Sequence, residues 1–192
     1  MTRKYVMNRR TERLEGTRQR IVEAAVELHG TLGPAQTTFS ALAKRAGVQR
    51  HTLYSHFPEP ELLFQACRAH FLATNPPPSP TAWRLFDEPG ERSRCGLSEL
   101  YAYYTAHKDI IWNVLRDSNR VPVGEGFHQL HQQAANVLAE AWTRPNPRLR
   151  AVAYLATDFL AWRSLANDSG LSPEATVDLM VSLMGSVSSR PL

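Results

Sequence analysis

The eight residues Gln49–His56, QRHTLYSH, hold the side chains best suited to chemistry in this sequence. Arginine pairs with a guanine edge, glutamine with adenine, and the threonine methyl can meet thymine. Tyrosine and histidine more often reach phosphate oxygens, which fix register without reading sequence. Gln49, Arg50, His51 and Thr52 are therefore candidate base readers. Tyr54 and His56 are candidate phosphate contacts. Leu53 among them and Phe57 just after them belong to a core.

A basic segment precedes this stretch. Residues 1–20 hold Arg3, Lys4, Arg9, Arg10, Arg13, Arg18 and Arg20 against only Glu12 and Glu15. Residues 1–70 carry eleven Lys and Arg and six Asp and Glu, a net +5; residues 71–192 carry eleven and twelve, a net −1. All the excess positive charge sits in the front third. That asymmetry points to a front end that faces a polyanion, such as double-stranded DNA, on a neutral body, or else to a solvated, partly disordered tail. Arg9, Arg10 and Arg13 are the candidate contacts of the arm.

Other reactive groups are sparse. His128 and His131 stand three apart, and with His107 three histidines could hold zinc. An all-α metal-dependent enzyme is thus a rival reading. No Ser/His/Asp set, glycine-rich phosphate loop or carboxylate pair can be argued from spacing, so no catalysis and no cofactor are expected. Aromatic and polar residues interleave in the second half. Tyr104, His107, Trp112, Arg116, Phe127, His128, Asp158 and Trp162 are the candidate lining of a pocket for a small, largely apolar or aromatic molecule. Arg163 lies five residues from Asp158 in the same very apolar segment and is a further candidate.

The elements that must position these groups are helices. The chain has 192 residues, 43% hydrophobic and 21% charged, which is ordinary globular usage. No apolar run approaches the roughly 20 residues of a membrane helix. No secretory signal is apparent, and Cys67 and Cys95 are too few for a disulfide framework, so a cytoplasmic protein is expected. Residues 1–16 lack an apolar face and read as a flexible basic arm. Ile21, Ala24, Ala25 and Leu28 then mark a helix capped at Thr17 and stopped at Gly30. Thr38 caps a second helix, Phe39 to Ala46, which Gly47 ends. A short third helix follows over Gln49–His56, and a fourth begins near Pro60. Four prolines between Asn75 and Pro80 mark the main break. Residues 75–95 show no assignable structure. Beyond them the spacing predicts a helix that starts near Ser93–Gly96, a break near His107, and helices over 110–115, 127–141, 151–165 and 175–187. The chain reads as all-α, with about nine helices.

The second helix, Gly47 and the third helix form a helix-turn-helix. The segment Thr38–Phe64, TFSALAKRAGVQRHTLYSHFPEPELLF, resembles the DNA-binding signature of the TetR family of bacterial transcriptional regulators. Arg18–Gly33 resembles that family's first helix and turn. The likeness in motif covers about residues 17–64.

The resemblance implies a helix-turn-helix domain over 17–62, after the arm, and a ligand-binding and dimerisation domain over 63–192. It implies that Tyr54 contacts phosphate, that Gln49, Arg50, His51 and Thr52 read bases, and that Thr38 offers its backbone N–H to phosphate. It implies a homodimer through residues 150–188, a palindromic operator and a small-molecule effector that releases a repressor, with the fourth helix as lever. Two positions depart from the family. Pro60 stands where a phosphate-gripping lysine is common, which keeps open a ligand-sequestering protein without DNA binding. His51 stands where a small residue is common.

Overall fold

The computed structural model describes residues 2–121, 126–142 and 146–188, with side chains from residue 11 onward except those of 126 and 127. Arg9, Arg10 and Phe127 therefore have side chains outside the described residues. Nine α-helices, α1 to α9, and no strand occur among the described residues. None of these helices is long and apolar enough to cross a membrane. The chain divides into two compact units. The first comprises residues 1–76 and 107–124, and the second comprises 77–106 and 125–192.

In the first unit, α1 runs Thr2–Thr31. It begins fifteen residues before the expected cap at Thr17. Thr17 is interior instead, its hydroxyl donating to the Arg13 carbonyl at 2.9 Å. Residues 11–16 are all exposed, but arginine, methionine, leucine and glutamate, frequent over 2–16, are good helix formers, and no proline occurs before Pro34. A helix nucleated downstream gains one hydrogen bond for each residue added. Gly30 is likewise interior; the positive φ of 96° falls at Gly33.

The second helix, α2, spans Phe39–Ala46, and the third, α3, spans Arg50–His56. The fourth, α4, spans Pro60–Thr74 and lies wholly in the first unit. Ile21, Val22 and Ala25 of α1, Leu42 and Ala43 of α2, Leu53 and Phe57, and Leu63 and Cys67 form one buried cluster. Burial pushes the Cys67 thiol up to about 12, so it is an inert core group.

The fifth helix, α5, spans Pro89–Asp117. It bends at His107, whose φ of −123° and ψ of 19° leave the helical region. The break expected near His107 is thus a kink within one long helix. Residues 107–117 belong to the first unit and 89–106 to the second.

The second unit adds α6 (Gly126–Glu140), α7 (Pro147–Ala156), α8 (Phe159–Arg163) and α9 (Pro173–Ser188). Residues Pro80–Leu85, which the sequence left without an element, form a 3-10 helix that buries Trp83; its indole N–H donates to Glu99 at 2.8 Å. The single helix expected over 151–165 is two. Asp158 caps α8 by accepting from the Ala161 N–H at 2.9 Å. The tyrosine hydroxyls of α5 take carbonyls at the break: Tyr101 donates to Ala156 at 2.7 Å and Tyr104 to Thr157 at 2.6 Å. A helix end buried without such partners would be costly.

Candidate nucleic-acid interface

The turn between α2 and α3 is built from local signals. Thr38 is extended and its hydroxyl accepts from the Ala41 N–H at 3.1 Å, satisfying one free donor of α2. Gly47 ends α2 in the left-handed region, φ 66° and ψ 37°. Its N–H donates back to Lys44, and the Val48 N–H donates to Ala43 at 3.0 Å. This closure lets α3 start two residues later. Leu53 is fully buried, which fixes the rotation of α3 about its axis.

That rotation sorts the sequence-derived residues. Gln49, Arg50, His51, Tyr54 and Ser55 are exposed; Thr52 and His56 are half-buried. Thr38 is exposed at the head of α2. The Tyr54 ring packs on Phe39 at 5.1 Å while the residue stays 45% exposed. Its ring is thereby anchored and its hydroxyl is outside the core. His51 lies within 3.3 Å of the Thr52 hydroxyl. Arg45 on α2 pairs with Glu27 on α1. Arg18 lies over the Phe57 ring at 4.8 Å, beside the end of α3.

The entry to α2 is held by residues that sequence reasoning placed elsewhere or missed. Asp117, at the end of α5, accepts from the Ala35 N–H at 2.9 Å. Arg116, a pocket candidate, instead pairs with Asp117 at 2.9 Å and donates to the Leu32 carbonyl at 3.1 Å. Asn113 donates to the His29 and Gly30 carbonyls at 3.2 and 2.8 Å. These three side chains take up backbone groups that the end of α1 and its connection leave free. The Arg116 hydrogen bond holds the Asp117 carboxyl below its ordinary range. His29 is buried against Phe64, ring centroids 5.3 Å apart, and burial pushes it down to about 4 against the opposing pull of Asp117. No spacing rule links Asn113 or Asp117 to residues some 80 positions earlier.

Residues 21–67 match the family described as bacterial regulatory proteins, tetR family. This is a TetR-family helix-turn-helix. The whole fold agrees. The chain is similar to a TetR-like transcriptional regulator from Rhodococcus sp. RHA1, with 21% identity, 91% of this chain and 97% of that one covered, and a TM-score of 0.60. It is similar to NalD, the secondary repressor of the MexAB-OprM multidrug efflux pump in Pseudomonas aeruginosa, with 20% identity, 91% and 96% covered, and a TM-score of 0.60. FadR from Bacillus subtilis, solved in complex with stearoyl-CoA, shows 17% identity, 89% and 97% covered, and a TM-score of 0.53. No curated protein matches. The chain thus has the fold of a TetR-family transcriptional regulator.

The candidate pocket residues fall in both units. His107, Trp112 and Arg116 belong to the first unit; Tyr104, His128, Asp158 and Trp162 belong to the second. In the second unit Tyr104 packs on Trp162 at 5.5 Å and on Phe159 at 5.3 Å, and Tyr101 lies 6.5 Å from Trp162. Burial pushes the Tyr101 and Tyr104 hydroxyls upward, so both stay protonated donors. One Asp158 carboxylate oxygen caps α8 and the other lies 3.9 Å from His131 Nδ1; Arg163 ends α8. His131 is buried and bonds the Tyr154 carbonyl at 2.7 Å, and the Tyr154 hydroxyl lies 3.5 Å from His128. In the first unit the His107 ring meets Phe71 edge-on at 5.3 Å. Among the described residues, no group of three or more His, Cys, Asp or Glu is placed to hold a metal ion. The zinc site of the rival enzyme reading is not assembled there.

Proposed function

We propose that this TetR-family chain is a homodimeric repressor released from a palindromic operator by a small, largely apolar or aromatic molecule. One observation carries the reading. A fully buried Leu53 turns Gln49, Arg50, His51 and Tyr54 outward on a short helix behind a capped glycine turn. In this reading Arg50 and Gln49 read bases, His51 and Thr52 complete the base face, and Thr38, Tyr54 and His56 hold phosphates. His51 is larger than the side chain usual there and reaches further into the groove. Pro60 cannot supply a charged grip, so phosphate binding falls to other groups.

The dimer is supported by apolar side chains left exposed between residues 150 and 188. Tyr154, Leu155, Leu160, Leu179 and Leu183 all stand there. Pairing such surfaces across a two-fold axis buries them. It also sets two recognition helices about 34–36 Å apart, the spacing of successive major grooves. The effector class is supported by the Tyr101, Tyr104, Phe159 and Trp162 group and by the acyl ligand named for FadR. An effector acts by binding better to a form whose two helix-turn-helix domains are wrongly spaced, and so draws the population off the operator. α4 lies wholly in the first unit, whereas α5 runs through the unit boundary at His107 as one helix, so α5 rather than α4 is the helical lever for that change.

The test is selection of bound sequences from a random duplex pool at two salt concentrations. An enriched palindrome, bound less tightly as salt rises, is the expected result. Absence of any enriched sequence overturns the operator reading and favours a ligand-sequestering protein.

A further inference from the structure

We propose that α1 carries a second DNA-contacting surface, a row of arginines that grips phosphates flanking the bases read by α3. This rests on the operator-binding reading above. The row replaces the flexible arm expected from the sequence.

Three observations carry it. First, α1 is one helix from Thr2, and among the described side chains its packing into the unit's core starts at Ile21. Residues 11–16 are all exposed. At about 1.5 Å per residue, α1 runs back about 28 Å from Ile21 to Thr2, the length of about eight base pairs. Second, the base of this rod is fixed beside the recognition helix. Arg18 lies 4.8 Å over Phe57, the residue that closes α3. Third, the charges are sorted by face. Arg13 and Arg20 stand seven apart, two turns, and so share one side of the helix. The register of the helix puts positions 9 and 10 next to that row, Glu12 at its edge three residues from position 9, and Glu15 on the opposite side.

A helix face that serves only water gains from opposite charges at i, i+4; like charges there cost stability. Positions 9 and 13 are such a like pair. Arg13 and Arg20 are exposed and neither makes an ion pair among the described residues; Arg20 reaches only the Thr17 hydroxyl, at 3.5 Å. An unneutralised row of this kind suits a polyanion that runs beside it. A rigid row tracks phosphates and carries no base information, so it adds affinity and salt dependence but leaves the selected sequence unchanged.

The experiment compares the full-length protein with R13Q/R20Q and R13K/R20K on two duplexes. One is the selected palindrome alone, and the other adds about 10 base pairs on each side. On the flanked duplex R13Q/R20Q should bind about tenfold or more weakly, with the salt slope reduced by about 3–4 for the four arginines of a dimer. On the trimmed duplex it should match the wild type. R13K/R20K should keep the flanked affinity, and circular dichroism should show unchanged helix content for both. Equal loss on both duplexes, or no loss on the flanked one, overturns the proposal. If the wild type selects no sequence, the operator reading has failed by itself. The same variants are then compared on a random duplex of the flanked length, where unchanged affinity overturns the arginine row and a salt-sensitive loss supports it. Arginine-dependent binding to anionic phospholipid vesicles in preference to duplex also overturns it.

Discussion

The Asp117 carboxylate accepts the Ala35 N–H at 2.9 Å, joining the end of α5 to the connection before α2. Asp117 is buried and also pairs with Arg116. Removing it strands a backbone donor and a guanidinium together. D117A should destabilise the fold by about 1–3 kcal/mol, the range for a polar group left without its partner. D117N keeps an acceptor for Ala35 and should lose less. Arg116 holds the folded-state carboxyl below its unfolded value. Its contribution is therefore present above the ordinary carboxylate range and disappears as pH falls through the lowered folded value. Urea unfolding at neutral pH checks the ranking; a D117A midpoint equal to that of D117N would contradict it.

His29 provides a second pH signature with a different window. Burial lowers its folded value to about 4 from an ordinary 6.5. The unfolded chain takes up the proton first, so stability should decline as pH drops from about 6.5 to 4 and level off below, with a total on the order of 2–3 kcal/mol. H29F keeps a ring against Phe64 and cannot charge. Its melting temperature should fall less steeply than the wild type across that window. Parallel curves would mean that His29 is not the titrating group.

Gly33 and Gly47 both have positive φ, 96° and 66°, but different surroundings. A Cβ at Gly47 meets open space, whereas one at Gly33 runs into the Arg116 and Asp117 side chains. G47A should cost about 1 kcal/mol for the left-handed conformation alone. G33A should cost clearly more, because it strains the backbone and displaces the Arg116–Asp117 pair together. Thermal unfolding of the two variants side by side gives the order.

What the sequence revealed tracks the range of each signal. Thr38 and Gly47 act within four residues of themselves, so cap and turn were readable from composition at fixed offsets. Leu53 and Phe57 were readable as core for the same reason. Asp117 and Ala35 are 82 residues apart, and no periodicity connects them. The break at Thr157–Asp158 lay in view but had no glycine or proline. Asp158 looked like a polar intrusion in an apolar helix, while its actual work is to cap a new one. The segment 2–16 shows the reverse error. Lack of an apolar face does not mean lack of structure there, because helix formers continue a helix nucleated further on.

Tyr54 and Arg50 separate positioning from reading. The Tyr54 ring is anchored on Phe39, so Y54F removes one hydroxyl with the packing intact. Operator affinity should fall several-fold, evenly across related sequences, as for loss of one phosphate contact. Arg50 is exposed at the start of α3. R50A should cost about 1–3 kcal/mol on the preferred operator and relax the preference at one position of each half-site. Competition binding against single-base variants of the operator discriminates the two. A uniform loss for R50A would reassign it to a phosphate.

Leu160 on α8 and Leu183 on α9 are large apolar residues exposed at 50% and 37%. Neither contributes to the buried core of its own unit, so a charge at either position should leave the isolated chain folded. If these residues meet a second copy across a two-fold axis, each substitution places two like charges in one apolar interface. L160E and L183E should then sediment as monomers at concentrations where the wild type is a dimer, with helical content unchanged. Operator affinity should fall much further than any single DNA-contact variant, because each half-site must then be bound separately. A dimer that survives both substitutions would place the interface outside α8 and α9.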